Sequence, residues 1–358
     1  MLFSGIYSRK RVLVTGDTGF KGSFLAYWLT TLGAEVLGVA LPPPEGNSHF
    51  SLLPERSWKS CFCDIRDREK IYDIVTGFRP EIVFHLAAQP LVRLSYAESA
   101  ATFDTNVIGT LNLLEALRHV PECRSAVIIT SDKCYENRED GIPCVETDPM
   151  GGFDPYSASK GCAELVVSCY ARSFFASGNT LIASARAGNV IGGGDWAADR
   201  LIPDLMRAAA SGTEAVLRNP DAHRPWQHVF EPLSGYLLLA ARLCSGDRSL
   251  VGGWNFGPED HETWPVHAVA AGIRKFWPRF QYRIEAEANA PHEATLLRLD
   301  CSKSRRCLDW YGVWNIEKTL EMTAKWYAAF YEKQQIVSGQ MLQEYISDAA
   351  EKGLIWTK

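Results

Sequence analysis

Tyr156 and Lys160 stand four residues apart in the run Asp154-Pro155-Tyr156-Ser157-Ala158-Ser159-Lys160. On a helix that spacing puts phenol and ammonium on one face, where the positive charge can lower the phenol's pKa and make it a base near neutral pH. This is equipment for moving a hydride and a proton together. Asp154 suits the N-cap of such a helix and Pro155 its first position, which would fix where the phenol points. A second cluster, Thr130-Ser131-Asp132-Lys133-Cys134-Tyr135, brings a hydroxyl, a carboxylate and an ammonium to the end of an apolar run. A lone Ser-Asp-Lys is usually a turn, but one strand ahead of the Tyr and Lys helix it becomes a candidate hydrogen-bond donor, acid and base.

These groups need a frame, and the first half of the chain supplies one. Val12 to Thr15, Glu35 to Leu41, Cys61 to Ile65, Ile82 to Ala87, Ala126 to Thr130 and Leu181 to Ala187 read as strands. Between them, amphipathic stretches near 20 to 32, 67 to 77, 101 to 118 and 155 to 176 read as helices. Apolar strands alternating with helices imply a parallel sheet covered on both faces, an α/β fold of the Rossmann-type doubly wound kind. Strand ends carry the chemistry in this fold, so the two clusters should meet above the sheet. After about residue 190 the rhythm breaks into shorter pieces, with helices at Pro265 to Trp277 and Asn315 to Glu332 and a strand at Phe280 to Glu285. This reads as a smaller C-terminal α/β substrate lobe, over about 191–226 and 259–358. The first domain then spans 1–190 and regains about 227–258, through Gln227 to Leu243 and the strand Trp254 to Gly257. The tail from Gln334 to Lys358 carries no legible signal.

Between the first strand and helix lies Gly16-Asp17-Thr18-Gly19-Phe20-Lys21-Gly22. Glycines so placed allow a tight turn, close approach to a pyrophosphate and close helix packing, with the helix N-terminus facing the anion. The second strand ends Val39-Ala40-Leu41-Pro42-Pro43, with neither the acid that would hold a ribose 2'-hydroxyl nor a base for a 2'-phosphate, so NAD is favoured over NADP. Asp64-Ile65, ending the third strand, would contact adenine, or Asp64 would cap the next helix. Asp17, facing the pyrophosphate, would repel it and loosen cofactor hold.

With 358 residues, 46% hydrophobic, 22% charged and a net charge of -5, the chain can bury a large core and has no polyanion-binding signature. Nucleic acid is not an expected partner. No segment approaches the roughly 20 apolar residues of a membrane span, and Met1 to Arg11 lacks the features of a leader, so a cytoplasmic protein with no membrane partner is expected. Of ten cysteines, Cys61, Cys63, Cys169 and Cys244 sit within apolar segments, and Cys61 and Cys63 share a strand face without a second pair at metal-ligand spacing. They read as structural thiols, and no metal is expected.

The glycine turn, His85-Leu86-Ala87-Ala88, Asn106, Tyr156-x-x-x-Lys160 and Arg186-x-x-Asn189 together resemble the extended short-chain dehydrogenase/reductases that bind sugar nucleotides, over about residues 10 to 330. Five further blocks are similar to the members of that branch that dehydrate CDP-glucose: Gly19-Phe20-Lys21-Gly22, Ala88-Gln89-Pro90-Leu91-Val92-Arg93, Ser131 to Tyr135, Gly192-Gly193-Gly194-Asp195-Trp196 and Arg224-Pro225-Trp226-Gln227-His228-Val229. Relatives acting on dTDP-glucose have Thr-Asp-Glu where this chain has Ser131-Asp132-Lys133.

The resemblance implies NAD as cofactor, bound through Gly16, Thr18, Gly19, Phe20, Lys21, Gly22, Asp64, Ile65, Leu86, Ala87, Ala88 and Asn106. It implies a lyase in which Tyr156, aided by Lys160, takes the proton of the sugar 4-hydroxyl while hydride leaves C4, with Ser131 bonded to the same oxygen. Asp132 would protonate the departing C6 hydroxyl and Lys133 would remove the C5 proton. Hydride then returns to C6 and C5 is reprotonated, giving a CDP-4-dehydro-6-deoxy sugar suited to deoxysugar synthesis for a bacterial cell-surface polysaccharide. Gln89, Arg93, Asn189, Arg200, Arg218, Arg224 and His292 would hold the substrate, with Asn189 and the nearby glycine amides at the diphosphate. Two alternatives stay open: another nucleotide-sugar dehydratase or 4-epimerase of the same family, and a non-catalytic NAD-binding protein. The resemblance also implies a homodimer or homotetramer built on the helices at 101 to 118 and 155 to 176. The stripe Val107, Leu111, Leu114 and Leu117 fits that interface or the sheet.

Overall fold

Seven parallel strands form one sheet: β1 (Arg11–Thr15), β2 (Glu35–Ala40), β3 (Lys59–Phe62), β4 (Ile82–His85), β5 (Ser125–Ile129), β6 (Leu181–Ala187) and β7 (Gly252–Phe256), in the order β7-β6-β5-β4-β1-β2-β3. The computed structural model describes residues 1–54, 56–137, 140–198, 200–258, 263–279, 281–285 and 297–358. Strand residues alternate between two cores. Val12 and Val14 face one, with α1 (Phe20–Thr31) and the apolar face of a later helix over Phe230–Cys244; Leu13, Val83 and Ile128 face the other. That second core is closed by α2 (Arg68–Phe78), α3 (Gly109–Leu117) and α4 (Pro155–Ser173). Burial on both faces is why these strands are apolar throughout rather than alternating. Strand order reverses between β1 and β4, and this opens the crevice above their carboxyl ends.

Beyond β6 the chain builds a lobe from α5 (Leu201–Ser211), the parallel pair Glu214–Leu217 with Gln281–Ile284, and α7 (Val266–Phe276), and it returns to the sheet through α6 (Phe230–Cys244) and β7. Then come α8 (Ile316–Lys333) and α9 (Ser338–Glu351). The tail is structured: Trp356 stacks on Phe3 with ring centroids 5.2 Å apart, and Tyr345 meets Trp28 edge-on at 5.9 Å. Glu231 in α6 holds the approach to this tail, accepting from the backbone N–H of Val313 (2.9 Å) and Trp314 (2.8 Å) and from the Tyr345 hydroxyl (3.0 Å).

Several local expectations shift. β3 starts at Lys59 and ends at Phe62, so Cys63, Asp64 and Ile65 lie beyond it, and Cys61 and Cys63 do not share a strand face. The cap of α2 is Asp67, which accepts from Lys70 N at 3.2 Å, and not Asp64. The helix expected at 101 to 118 runs from Ser99 to Leu117, with a π turn over Asp104–Ile108 between Ser99–Phe103 and α3. Its stripe belongs to the sheet side: Leu114 and Leu117 are buried in the second core and Leu111 packs against it.

Candidate active site

The helix cap comes first, because it sets the phenol. Asp154 accepts from Ser157 N (2.9 Å) and Ser157 Oγ (2.6 Å), Pro155 occupies the first turn, and Tyr156 N donates to Ser95 Oγ at 3.1 Å. Close packing places the next turn of α4. A side chain at Gly161 would come within 2.7 Å of the Gly151 carbonyl, so only glycine lets the helix lie this near the catalytic turn. Tyr156 and Lys160 are both buried and both face the end of β5.

Ser131, Asp132 and Lys133 follow β5 in a short 3-10 turn. The Ser131 hydroxyl donates to Asp132 Oδ1 at 3.0 Å and accepts from Lys133 N at 3.2 Å, and it lies close enough to the Tyr156 phenol to influence its protonation. These four groups line one cavity of about 750 Å³, together with Lys21, Asn189, Gly192, Arg93, Arg200, Arg218 and Arg224. Hydroxyl, carboxylate, phenol and ammonium thus converge as their order in the chain implies.

Their protonation differs from the expectation at one point. Burial outweighs every nearby cation and pushes Tyr156 up to about 12, with Ser131 and Arg200 opposing. Lys160 makes no hydrogen bond to the phenol; its ammonium donates to the Ile129 carbonyl at 3.4 Å, and burial, then Lys21's charge, pull it down to about 7. Asp132 is raised, first by burial, against the pull of Lys133, Ser131 and Arg224, so its carboxyl is biased toward the protonated form.

The glycine turn fits a dinucleotide. Gly16 has φ +78° and a Cβ there would lie 2.7 Å from Ala87 N, while a side chain at Gly22 would strike the Gly16 carbonyl. The backbone of Leu86 and Ala87 lies against Gly16; Gly19 is exposed, and Leu86, Ala87 and Ala88 are half-buried. Thr18 is spent on the turn, its hydroxyl donating to Leu41 O at 3.0 Å. Asp17 does not face the mouth. It is buried beneath the turn, accepting from Trp58 Nε1 (3.0 Å) and Ser60 Oγ (2.5 Å), so repulsion of a pyrophosphate has no geometric basis. Phe20 and Lys21 line the cavity instead.

Other candidates turn inward. Asn106 accepts from Gln89 N (2.8 Å) and donates to Gln89 O (3.1 Å) and Ser159 Oγ (2.8 Å), which satisfies its amide inside the protein. Gln89 bonds Leu91 and Thr102 in its own loop. Ile65 is core, against Gly109, and Asp64 is claimed by Arg66 at 2.6 Å. Gly193 packs on the ring of Trp326 and Gly194 on His49, so of the three glycines only Gly192 reaches the cavity. Arg200 pairs with Asp195 at 3.0 Å; Arg224 is buried and donates to His223 O at 2.9 Å; Arg218 is exposed at the rim. His292 lies outside the described residues. Glu164, four residues after Lys160 on the same helix face, went unnoticed although that spacing signals it. It anchors Arg186 through Nε (2.8 Å) and Nη2 (2.7 Å) directly behind the site.

A family model with the description GDP-mannose 4,6 dehydratase matches residues 13–323. The CDP-glucose 4,6-dehydratase of Salmonella typhimurium (strain LT2) is 46% identical over 355 residues, 97% of this chain and 99% of the relative. The UDP-glucose 4-epimerase of Mycoplasma pneumoniae is 25% identical over 339 residues, 91% of this chain and 99% of that protein. Among solved structures, the dTDP-glucose 4,6-dehydratase of Streptomyces venezuelae, with NAD and TYD bound, matches with a TM-score of 0.75 at 22% identity, covering 90% of this chain and 98% of that one. At that identity the likeness is one of fold.

Proposed function

The chain belongs to the GDP-mannose 4,6 dehydratase family, and from that premise we propose that it converts CDP-D-glucose to CDP-4-dehydro-6-deoxy-D-glucose and water, using NAD that is regenerated. The observation that carries this reading is the joint presence, in one cavity, of Tyr156 with Ser131 and of an acid and base pair, Asp132 and Lys133. A 4-epimerase needs the first pair and has no use for the second. Identity of 46% across nearly the whole of a CDP-glucose 4,6-dehydratase supports the cytidine nucleotide.

Gly16, Gly19 and Gly22, with Leu86 to Ala88, would hold the cofactor's diphosphate and nicotinamide end. NAD supplies the hydride acceptor for C4 and donor for C6 and, at its nicotinamide, the positive charge that brings the Tyr156 phenol back toward neutral pH. Tyr156 takes the 4-hydroxyl proton while Ser131 holds that oxygen. Asp132, which burial biases toward the protonated form, gives its proton to the leaving C6 hydroxyl, and Lys133 removes the C5 proton made acidic by the 4-ketone. Asn189, Arg200, Arg218 and Arg224 answer the substrate's diphosphate with an amide and planar cations, and Arg93 borders the sugar.

The same reading assigns residues 1–190 and about 227–258 to cofactor binding and about 191–226 and 259 onward to the sugar nucleotide. It places the protein in the cytoplasm as a homodimer or homotetramer. The exposed side chains Ile108, Leu165 and Phe174 on the helical face around α3 and α4 favour self-association there. No described helix is long and apolar enough to cross a membrane. The product suits deoxysugar synthesis for surface polysaccharide such as O-antigen.

The test is direct. Purified protein with NAD and CDP-glucose should yield a 4-keto-6-deoxy nucleotide sugar with no net NADH. Formation of CDP-galactose would replace dehydration by epimerisation, and turnover of UDP- or dTDP-glucose alone would overturn the cytidine assignment.

A further inference from the structure

The catalytic turn is tied down at both ends by one buried network that no step of the reaction uses. At its start, Thr130 donates to Glu164 Oε1; Glu164 also accepts from Ser184 Oγ (2.6 Å) and from Arg186 through Nε and Nη2. At its end, two residues after Lys133, Tyr135 is buried with its hydroxyl between two partners. It accepts from Arg186 Nη1 and donates to Asn255 Oδ1 at 2.7 Å. Asn255, in β7, carries the connection outward. Its Nδ2 donates to the carbonyls of Cys144 and Asp300, both at 3.0 Å, and its backbone N–H to Glu146 Oε1 at 3.0 Å. Cys144 pairs in turn with the 298–300 segment, its N–H donating to Arg298 O and its carbonyl accepting from Asp300 N, each at 2.9 Å.

We infer that Tyr135 is a positioning residue for water elimination: its hydroxyl fixes the height of Asp132 and Lys133 in the cleft and links them, through Asn255, to residues 144–146 and 298–300. Tyr156 has separate support, from the Asp154 cap and Ser95. Removing the Tyr135 hydroxyl leaves the Glu164 to Arg186 pair intact, and so leaves α4 where it is. Proton removal at C5 and proton delivery at C6 demand close alignment of both groups with the sugar, and a displacement near 1 Å costs such a step about 100-fold. The hydride step does not depend on that alignment.

The inference rests on the dehydratase reading, and the experiment separates the two. Wild type on CDP-glucose first establishes product; absence of product overturns the reading itself. Tyr135→Phe is then followed in a single turnover with NAD and CDP-glucose in D2O. NADH should form within about twofold of the wild-type rate and persist, hydrogen exchange at C5 should fall about tenfold or more, and KM should stay within about twofold. Loss of hydride transfer and C5 exchange in equal measure, or retention of both, would overturn it. Circular dichroism and the melting temperature establish folding, and Asn255→Ser repeats the test should the first variant not fold. If the two side chains act as one link, the double variant is no slower than the worse single one; additive losses would also overturn it.

Discussion

The two walls of the cleft are built on different principles. On the strand-end wall, Ser131, Asp132, Tyr156 and Lys160 are short or helix-bound groups, buried and cross-bonded, and the network of Glu164 and Arg186 backs them. On the facing wall stand Arg200, Arg218 and Arg224, long cations on loops and at element ends, ranging from buried Arg224 to exposed Arg218. Groups held rigid by their surroundings can favour a transition state over a ground state; a flexible cation on a phosphate remote from the reacting carbons binds both about equally. The first wall should therefore govern kcat and the second KM.

The sharpest break comes from Tyr156→Phe. It keeps the fold and removes the proton acceptor, and kcat should fall about 10³-fold or more with KM for CDP-glucose little changed. Lys133→Met should fall less, about 10²-fold in product formation, while NADH still appears in a single turnover. Normal dehydration by that variant would take Lys133 out of the mechanism and leave the acid and base work to Asp132.

How legible each wall is in the sequence follows from the same contrast. Tyr156, Lys160, Asp154 and Pro155 lie within one helical turn and a cap, so spacing alone specifies their geometry, and the structure reproduces it. Alternation of apolar strands with helices similarly yields the sheet. Charge states were less legible, because the balance of burial against neighbours is a property of the packed interior: Tyr156 rises where spacing predicts a fall. Asn106 and Gln89 are ligand contacts by family resemblance, yet each spends its amide inside the protein, on one another and on Leu91, Thr102 and Ser159, in pairings that no local pattern encodes. Asp17 is similar, claimed by Trp58 and Ser60 from a neighbouring strand region. In the tail, Met341, Leu342, Tyr345 and Ala349 do keep helical spacing, but nothing local says that they pack against the first helix.

Protonation sharpens the comparison on the strand-end wall. Lys160 is drawn from its ordinary 10.5 to about 7, mainly by burial. Between those values the unfolded chain holds a proton that the folded protein does not, so this group's contribution makes stability rise with pH, by up to about 1.4 kcal/mol per unit. Urea titrations of the protein without cofactor at about pH 7 and pH 9 should show that rise, and Lys160→Met should flatten it. Glu231 supplies the opposite slope elsewhere. Burial raises it from 4.5 to about 7, so across that lower window stability falls with rising pH, and Glu231→Gln should remove the fall.

The smallest effects belong to the arginines, and their order tests whether the facing wall works by binding alone. Arg224 is buried and close enough to Asp132 to lower its pKa, whereas Arg218 lies exposed at the rim. A charge-assisted bond to phosphate in a desolvated site is worth about 1.5 to 3 kcal/mol, so Arg224→Ala should raise KM for CDP-glucose about 10-fold to 100-fold. An exposed ion pair is worth at most about 1 kcal/mol, and Arg218→Ala should shift KM by no more than about fivefold. Both should leave kcat within about twofold, provided the contact is as strong in the ground state as in the transition state. A large fall in kcat for Arg224→Ala would mean that its field on Asp132 matters to proton delivery at C6. The division between a chemical wall and a binding wall would then fail at the one arginine that is buried beside the acid.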